Sequence, residues 1–325
     1  MPTDCPILFV VFNRPDVTRR VWESIRRHKP ARLYIAADGP RPDNPNDELN
    51  CKLVRQIVSE LDWSCTVKRL FRDENKGCAV GVSSAISWFF ENEEMGIILE
   101  DDCLPDDSFY SFCEELLERY KGDSRVMGIS GDNFQHRGGV TVKESYYFSK
   151  YVHVWGWATW RRAWVHHDLQ TTAWPRIRSE EADLAFYDSR EERDAFRRFF
   201  DHIHAAPGHT WDTQWLLCCW MESGLMVVPS RNLVKNIGFE SGHTHTVTER
   251  LFVRLSLLES IDQIIHPNHV IRNVLADRFT FKRWHRSSFL AALFRKSPRM
   301  VQSLTLRCYN IACRVIVSKV QRNQA

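Results

Sequence analysis

The sequence predicts an α/β protein with a mostly parallel sheet flanked by helices. Three observations predict it. Short uninterrupted apolar runs such as Pro6–Phe12 and Gly96–Leu99 read as strands buried on both faces. Segments with helical apolar spacing alternate with those runs, the pattern of crossover-connected parallel strands. Turn residues or acids stand at the ends of the runs, the edge at which open α/β sheets bind ligands. A length of 325 residues with 43% hydrophobic content is enough for a substantial core.

The elements follow in order. Pro6–Phe12 is a first strand, turned by Asn13-Arg14-Pro15 into a helix over Asp16–His28 with Val17, Val21, Trp22 and Ile25 on one side. Leu33–Ala37 is a second strand ending in Asp38-Gly39-Pro40, and Arg41–Asp47 is a loop. A helix over Glu48–Leu61 leads to a third strand, Thr66–Phe71, and the loop Asp73–Gly77. A helix over Val80–Phe90 leads to the fourth strand, 96–99, and Ser108–Tyr120 and Val126–Ser130 read as the next helix and strand. Tyr151–Trp164 holds four tryptophans and reads as an aromatic wall. Ser179–His204 is polar and helix-rich, an apolar helix runs through Met221, Met226–Pro229 is a strand, and Lys235–Thr246 is a loop.

No Gly-x-Gly-x-x-Gly follows the first strand and there is no Walker-type loop, which removes the main reason to propose NAD, FAD or ATP chemistry. The ten cysteines form no Cys-x-x-Cys pair, against a zinc ribbon or a thioredoxin-type site. No signal peptide or membrane-spanning apolar run is evident, so a cytoplasmic location is expected. From Arg278 onward there are eleven Lys/Arg and no Asp/Glu, although the net charge is only +3, so a basic tail follows an acidic body. Its apolar residues read as a basic amphipathic helix suited either to an anionic inner-membrane surface or to packing on the domain. Nucleic acid is not an expected partner, because no recognised motif accompanies the charge.

The chain is organised around Met95–Pro105, where Ile97-Ile98-Leu99 runs into Glu100-Asp101-Asp102. Three adjacent carboxylates repel one another, and a hard cation such as Mg²⁺ or Mn²⁺ relieves that repulsion with oxygen ligands.

In this order the pieces resemble the metal-dependent glycosyltransferases of the Rossmann-like GT-A fold. The likeness is closest to bacterial proteins labelled haemolytic-protein-like, a label that names no activity here, and more distant to N-acetylglucosaminyltransferase I. The residues that carry it are Phe12-Asn13-Arg14-Pro15, Ala37-Asp38-Gly39, Glu74-Asn75-Lys76-Gly77, Leu99-Glu100-Asp101-Asp102, Trp155–Trp160, Trp211-Asp212, and Asn236–Phe239 running to His243–Thr246. The resemblance spans roughly residues 5 to 275. It implies a glycosyltransferase domain over 1–275, with a nucleotide-sugar half (1–135) and an acceptor and catalytic half (136–275), followed by the basic tail, 276–325.

The resemblance implies an inverting transfer from a nucleotide-sugar, a UDP-sugar first, to a glycan or lipid-linked acceptor in surface polysaccharide or lipopolysaccharide synthesis. It implies Mn²⁺ or Mg²⁺ on Asp102, with Asp101 near the donor sugar or ribose and Glu100 in support. Asp101 is the alternative ligand. Asp38 would accept from the base, although an Asp-Gly turn explains it as well. Asn13 belongs to the donor side. Arg14 would pair with the diphosphate or the base, and Asn75 and Gly77 would shape the loop beside the ribose. Asp212 would be the catalytic base, though it also suits a helix N-cap. His245 would approach the metal, and Trp155 and Trp157 would stack on the acceptor. Two other readings are a nucleotidyltransferase that makes nucleotide-sugars, which lacks its Gly-rich basic loop here, and a non-catalytic binding or cytolytic protein, which lacks an export signal.

Overall fold

The computed structural model describes residues 5–135, 139–238 and 257–283. His243, His245 and the basic tail beyond residue 283 lie outside the described residues. The first half runs β1 (Ile7–Val11), α1 (Pro15–His28), β2 (Arg32–Ala37), α2 (Pro45–Ile57), β3 (Thr66–Phe71), α3 (Gly77–Asn92), β4 (Met95–Glu100), β5 (Cys103–Pro105), α4 (Asp107–Tyr120) and β6 (Val126–Ser130). The second half adds β7 (Tyr146–Ser149), β8 (Trp157–Trp160), α5 (Arg161–Trp164), α6 (Trp174–Ser179), α7 (Arg190–Ala205), α8 (Asp212–Met221), β9 (Leu225–Pro229) and β10 (Val234–Asn236).

Eight strands form one sheet in the order β3-β2-β1-β4-β8-β6-β9-β7, and β10 pairs antiparallel with β5 in a second, two-stranded sheet. The large sheet is a Rossmann-like α/β sheet, mostly parallel, with helices on both faces. β3, β2, β1 and β4 are mutually parallel, as are β6 and β9. β8 and β7 are antiparallel to their neighbours. Because β8 runs antiparallel to both β4 and β6, those two strands point the same way. The carboxyl ends of β1, β2, β3, β4, β6 and β9 therefore share one edge. The chain steps outward from β1 to β2 and β3, then returns to the other side of β1 as β4. That reversal is a topological switch point, where the strand ends leave a crevice open for a ligand.

Burial explains why the strands carry so little alternation. Ile97 and Leu99 face one core with Val21 and Trp22 of α1 and Phe109 and Phe112 of α4. Ile98 faces the other with Ile86 and Phe89 of α3 and Trp215 and Cys218 of α8. A third cluster packs Trp174, Phe196, Phe200 and Trp220 beside the sheet.

The expected loop Arg41–Asp47 is shorter than the sequence suggests. Asn44 caps α2 by accepting from the Asn46 amide, and Pro45 sits where its missing N–H costs nothing. The Tyr151–Trp164 stretch is not one wall. Trp157–Trp160 is a strand inserted between β4 and β6, and all four of its residues are buried.

Candidate functional site at the switch point between β1 and β4

Arg14 follows β1 and stands at the N-terminus of α1, with Pro15 starting the helix. Its guanidinium bridges the acids that end β4. Nη2 donates to Asp101 Oδ1, Nε donates to Asp101 Oδ2 at 3.4 Å, and Nη1 donates to Asp102 Oδ2 at 2.9 Å. The Phe12 amide also donates to Asp101 Oδ2, at 3.4 Å. Both Asp101 oxygens are thus engaged. Asp102 Oδ2 is engaged by Arg14, whereas among the described residues its Oδ1 accepts only from the Cys103 thiol at 3.5 Å, a weak donor.

Glu100 is half-buried in the same place. Burial pushes its carboxyl up to about 8, and the charges of Asp102 and Asp101 push it further the same way against the pull of Arg14. Asp212 also raises Glu100, so its charge is felt at the triad although it lies more than a hundred residues away in sequence. Cys78, the exposed second residue of α3, tells the same story. Its thiol is pushed up to about 12, first by desolvation and then by Glu100, Asp212 and Asp102. The charges of Asp212 and of the triad thus act on the same two groups, Glu100 and Cys78.

Asp212 is the first residue of α8, and Trp211 rather than Asp212 is the N-cap. Its carboxylate accepts from the Thr210 hydroxyl and, at 2.9 Å, from the Thr213 amide. Beneath it Trp157, Trp164, Trp211 and Trp215 pack ring on ring, with Trp157 and Trp211 stacked at 5.7 Å.

Asp38, Asn75 and Gly77 knit two loops together. Asp38 accepts from the Lys76 amide through both oxygens, at 3.1 and 2.9 Å, and faces Arg72 at 3.9 Å. Asn75 donates to the Gly39 carbonyl at 2.9 Å and accepts from the Gly77 amide at 3.1 Å. Gly77 has φ +75°, which a side chain would strain. Asn13 donates to Asp47 at 2.7 Å, beside Arg41, and so supports the start of α2.

The acceptor-side expectation needs one correction. Trp157 is 1% exposed and belongs to the core, so its faces are taken by other rings and no sugar can stack on it. Trp155 is half-buried and meets Phe134 edge-on at 5.3 Å. Phe134 in turn packs on His153, whose Nδ1 lies 3.6 Å from Asp132, a buried carboxylate just after β6. The sequence reading missed Asp132 and His153. An acid one residue beyond Gly131 at a strand end was a usable signal for Asp132, whereas nothing local marks His153.

Among the described residues, no group of three or more His, Cys, Asp or Glu side chains forms a ready metal cage. The donor chemistry of the triad still suits Mg²⁺ or Mn²⁺. Such ions are commonly held by one or two carboxylates, with water and substrate phosphates supplying the rest. Asp102, with an oxygen met among the described residues only by a thiol, is the side chain that could hold one. A cavity of about 1060 Å³ lies elsewhere, lined by Asn133, Gln135, Ser145, Arg231 and Ser260 among others. Its buried amides are already bonded within the protein, Asn133 to the Pro229 carbonyl and Gln135 to Thr280. No described helix is long and apolar enough to cross a membrane.

No protein-family model and no curated protein matches the chain. Among solved structures it is similar to HddC from Yersinia pseudotuberculosis, at 9% identity and a TM-score of 0.31 over 49% of this chain and 77% of that one. It is also similar to a UDP-glucose pyrophosphorylase complexed with UDP-glucose, at 11% identity and a TM-score of 0.25 over 45% of this chain and 62% of that one. Likeness at this level assigns no activity.

Proposed function

We propose that the protein is a cation-dependent glycosyltransferase that moves a sugar from a nucleotide-sugar, most simply a UDP-sugar, to a hydroxyl of a glycan or glycolipid. One observation carries the reading. At the switch point between β1 and β4, an arginine and three carboxylates converge, and the charge of Asp212 reaches the same place. In this reading Asp102 would hold Mn²⁺ or Mg²⁺. The bound ion would neutralise the diphosphate that leaves when the anomeric bond breaks. Asp101 keeps Arg14 in place. Glu100, pushed up toward protonation, stands beside the leaving group as a hydrogen-bond donor or acceptor. Asp38, Asn75 and Gly77 form the rim that borders the base and ribose.

Asp212, whose charge acts on Glu100, takes the proton from the acceptor hydroxyl as it attacks. A single base opposite the leaving group gives inversion. Its bonds from Thr210 and Thr213 leave Oδ2 for that proton. The acceptor is proposed to be a surface polysaccharide or lipopolysaccharide precursor, with Trp155 at its side. The test is donor turnover. Purified protein with Mn²⁺ should bind and slowly hydrolyse at least one member of a nucleotide-sugar panel. Protein that neither binds nor turns over any of them would end the transferase reading.

A further inference from the structure

We propose that Arg14 is a resident counter-ion that yields Asp102 to a divalent cation while keeping hold of Asp101, and so turns a freed N–H toward the donor diphosphate. This rests on the cation-dependent reading above. The two ends of the guanidinium contact are unlike. On Asp101 the grip is double, through Nη2 and Nε, the Phe12 amide adds to it, and the carboxylate is 4% exposed. On Asp102 the grip is single, through Nη1 at 2.9 Å, and the carboxylate is 15% exposed. Breaking a buried pair strands a charge away from water, whereas a single, partly hydrated contact is cheap to exchange. A competing cation therefore removes the Asp102 contact first.

The surroundings suit such an exchange. The Arg14 carbonyl is fixed in α1 by the amide and hydroxyl of Thr18, at 2.9 and 2.7 Å, so only side-chain torsions need to change. The Arg14 side chain is 39% exposed, which leaves it room to turn. Gly238 stands directly over the contact. A Cβ there would lie 2.5 Å from Asp102 Oδ2 and 2.8 Å from Arg14 Nη1, so any larger residue would displace the pair. Asp101 and Asp102 against one guanidinium leave a surplus of negative charge that attracts a divalent ion, while Nη1 repels it at Asp102. Cation and nucleotide should therefore bind synergistically, because each relieves a cost the other meets.

The experiment measures free Mn²⁺ by electron paramagnetic resonance with the full chain, with and without UDP. Wild type should bind Mn²⁺ at least ten-fold more tightly when UDP is present. Arg14→Met should bind Mn²⁺ alone at least ten-fold more tightly than wild type and lose most of the UDP effect. Arg14→Lys keeps the charge without the fork and should fall between, and it serves if Arg14→Met does not fold. Arg14 variants that bind Mn²⁺ no more tightly than wild type overturn the exchange. Asp102→Asn separates the two claims. Loss of Mn²⁺ binding there, without a gain in the Arg14 variants, removes the exchange alone. Mn²⁺ binding that survives Asp102→Asn, or is absent from wild type and Arg14 variants alike, removes the cation site and the exchange together.

Discussion

The end of β4 and the floor under Asp212 are neighbours built on opposite principles. At β4, three carboxylates are gathered against one guanidinium, and burial with mutual repulsion pushes Glu100 up to about 8. Under Asp212, four tryptophans and His167 fill space with little charge at all, and His167 lies flat on Trp164 at 4.1 Å. The first region holds electrostatic strain that a ligand can relieve, and the second holds packing that a ligand would only disturb. Substitutions should therefore act on function in one and on stability in the other.

The largest expected effect lies where the two regions meet. Asp212→Asn should lower the transfer rate by about 10²–10⁴, the usual range for loss of a general base, while donor affinity stays within a few-fold. Stopped-flow turnover beside calorimetric donor binding reads both, and an equal loss in the two would leave Asp212 only a structural role at the start of α8. Next comes Trp157→Ala, which should cost about 3–5 kcal/mol of stability in denaturant melts, because a fully enclosed ring leaves a cavity. A loss below about 1 kcal/mol would show that the aromatic floor is loose.

Glu100→Gln should act in the opposite direction and stabilise the cation-free protein by roughly 1–3 kcal/mol near pH 8. The folded state binds the Glu100 proton more tightly than the unfolded chain. The Glu100 contribution to stability therefore falls as pH rises from about 4.5 to about 8, and the benefit of the substitution should vanish below about pH 4.5. A flat difference between the two melts across that range would refute it.

The smallest effect belongs to His167, which burial pushes down to about 4. Here the unfolded chain takes the proton first. The His167 contribution to stability drops as pH falls from about 6.5 to about 4, by at most about 1.4 kcal/mol per pH unit. His167→Phe should flatten that slope and leave the slope at higher pH alone.

Much of the first half was legible. β1, β2, β4 and β6 are each a largely apolar run closed by Asn-Arg-Pro, Asp-Gly, the acidic triad or Gly-Asp, because a strand buried on both faces must be apolar and must change character at its end, whereas the edge strand β3 carries Lys68 and Arg69 and is partly exposed. The second half was less legible. β8 is four residues of Trp-Ala-Thr-Trp without alternation, and nothing in that string says it inserts between β4 and β6. The same stretch misled the acceptor reading, since a tryptophan that fills a core and one that lines a cleft look alike in sequence. Asp132 and His153 escaped for a related reason, being joined only when β6 and the chain before β8 meet at one edge.

By itself the sequence determined the α/β class, the order of the first strands and helices, and an acidic cluster at the end of a buried strand. Those properties are local, set by apolar period, turn chemistry and adjacency. Only the tertiary structure decided the partners. It put Arg14 on Asp101 and Asp102, brought the charge of Asp212 to Glu100, and enclosed Trp157 while leaving Trp155 at the margin. Each of those contacts joins residues far apart along the chain, and the order in which strands enter the sheet, not any neighbour in sequence, sets which strand ends stand side by side.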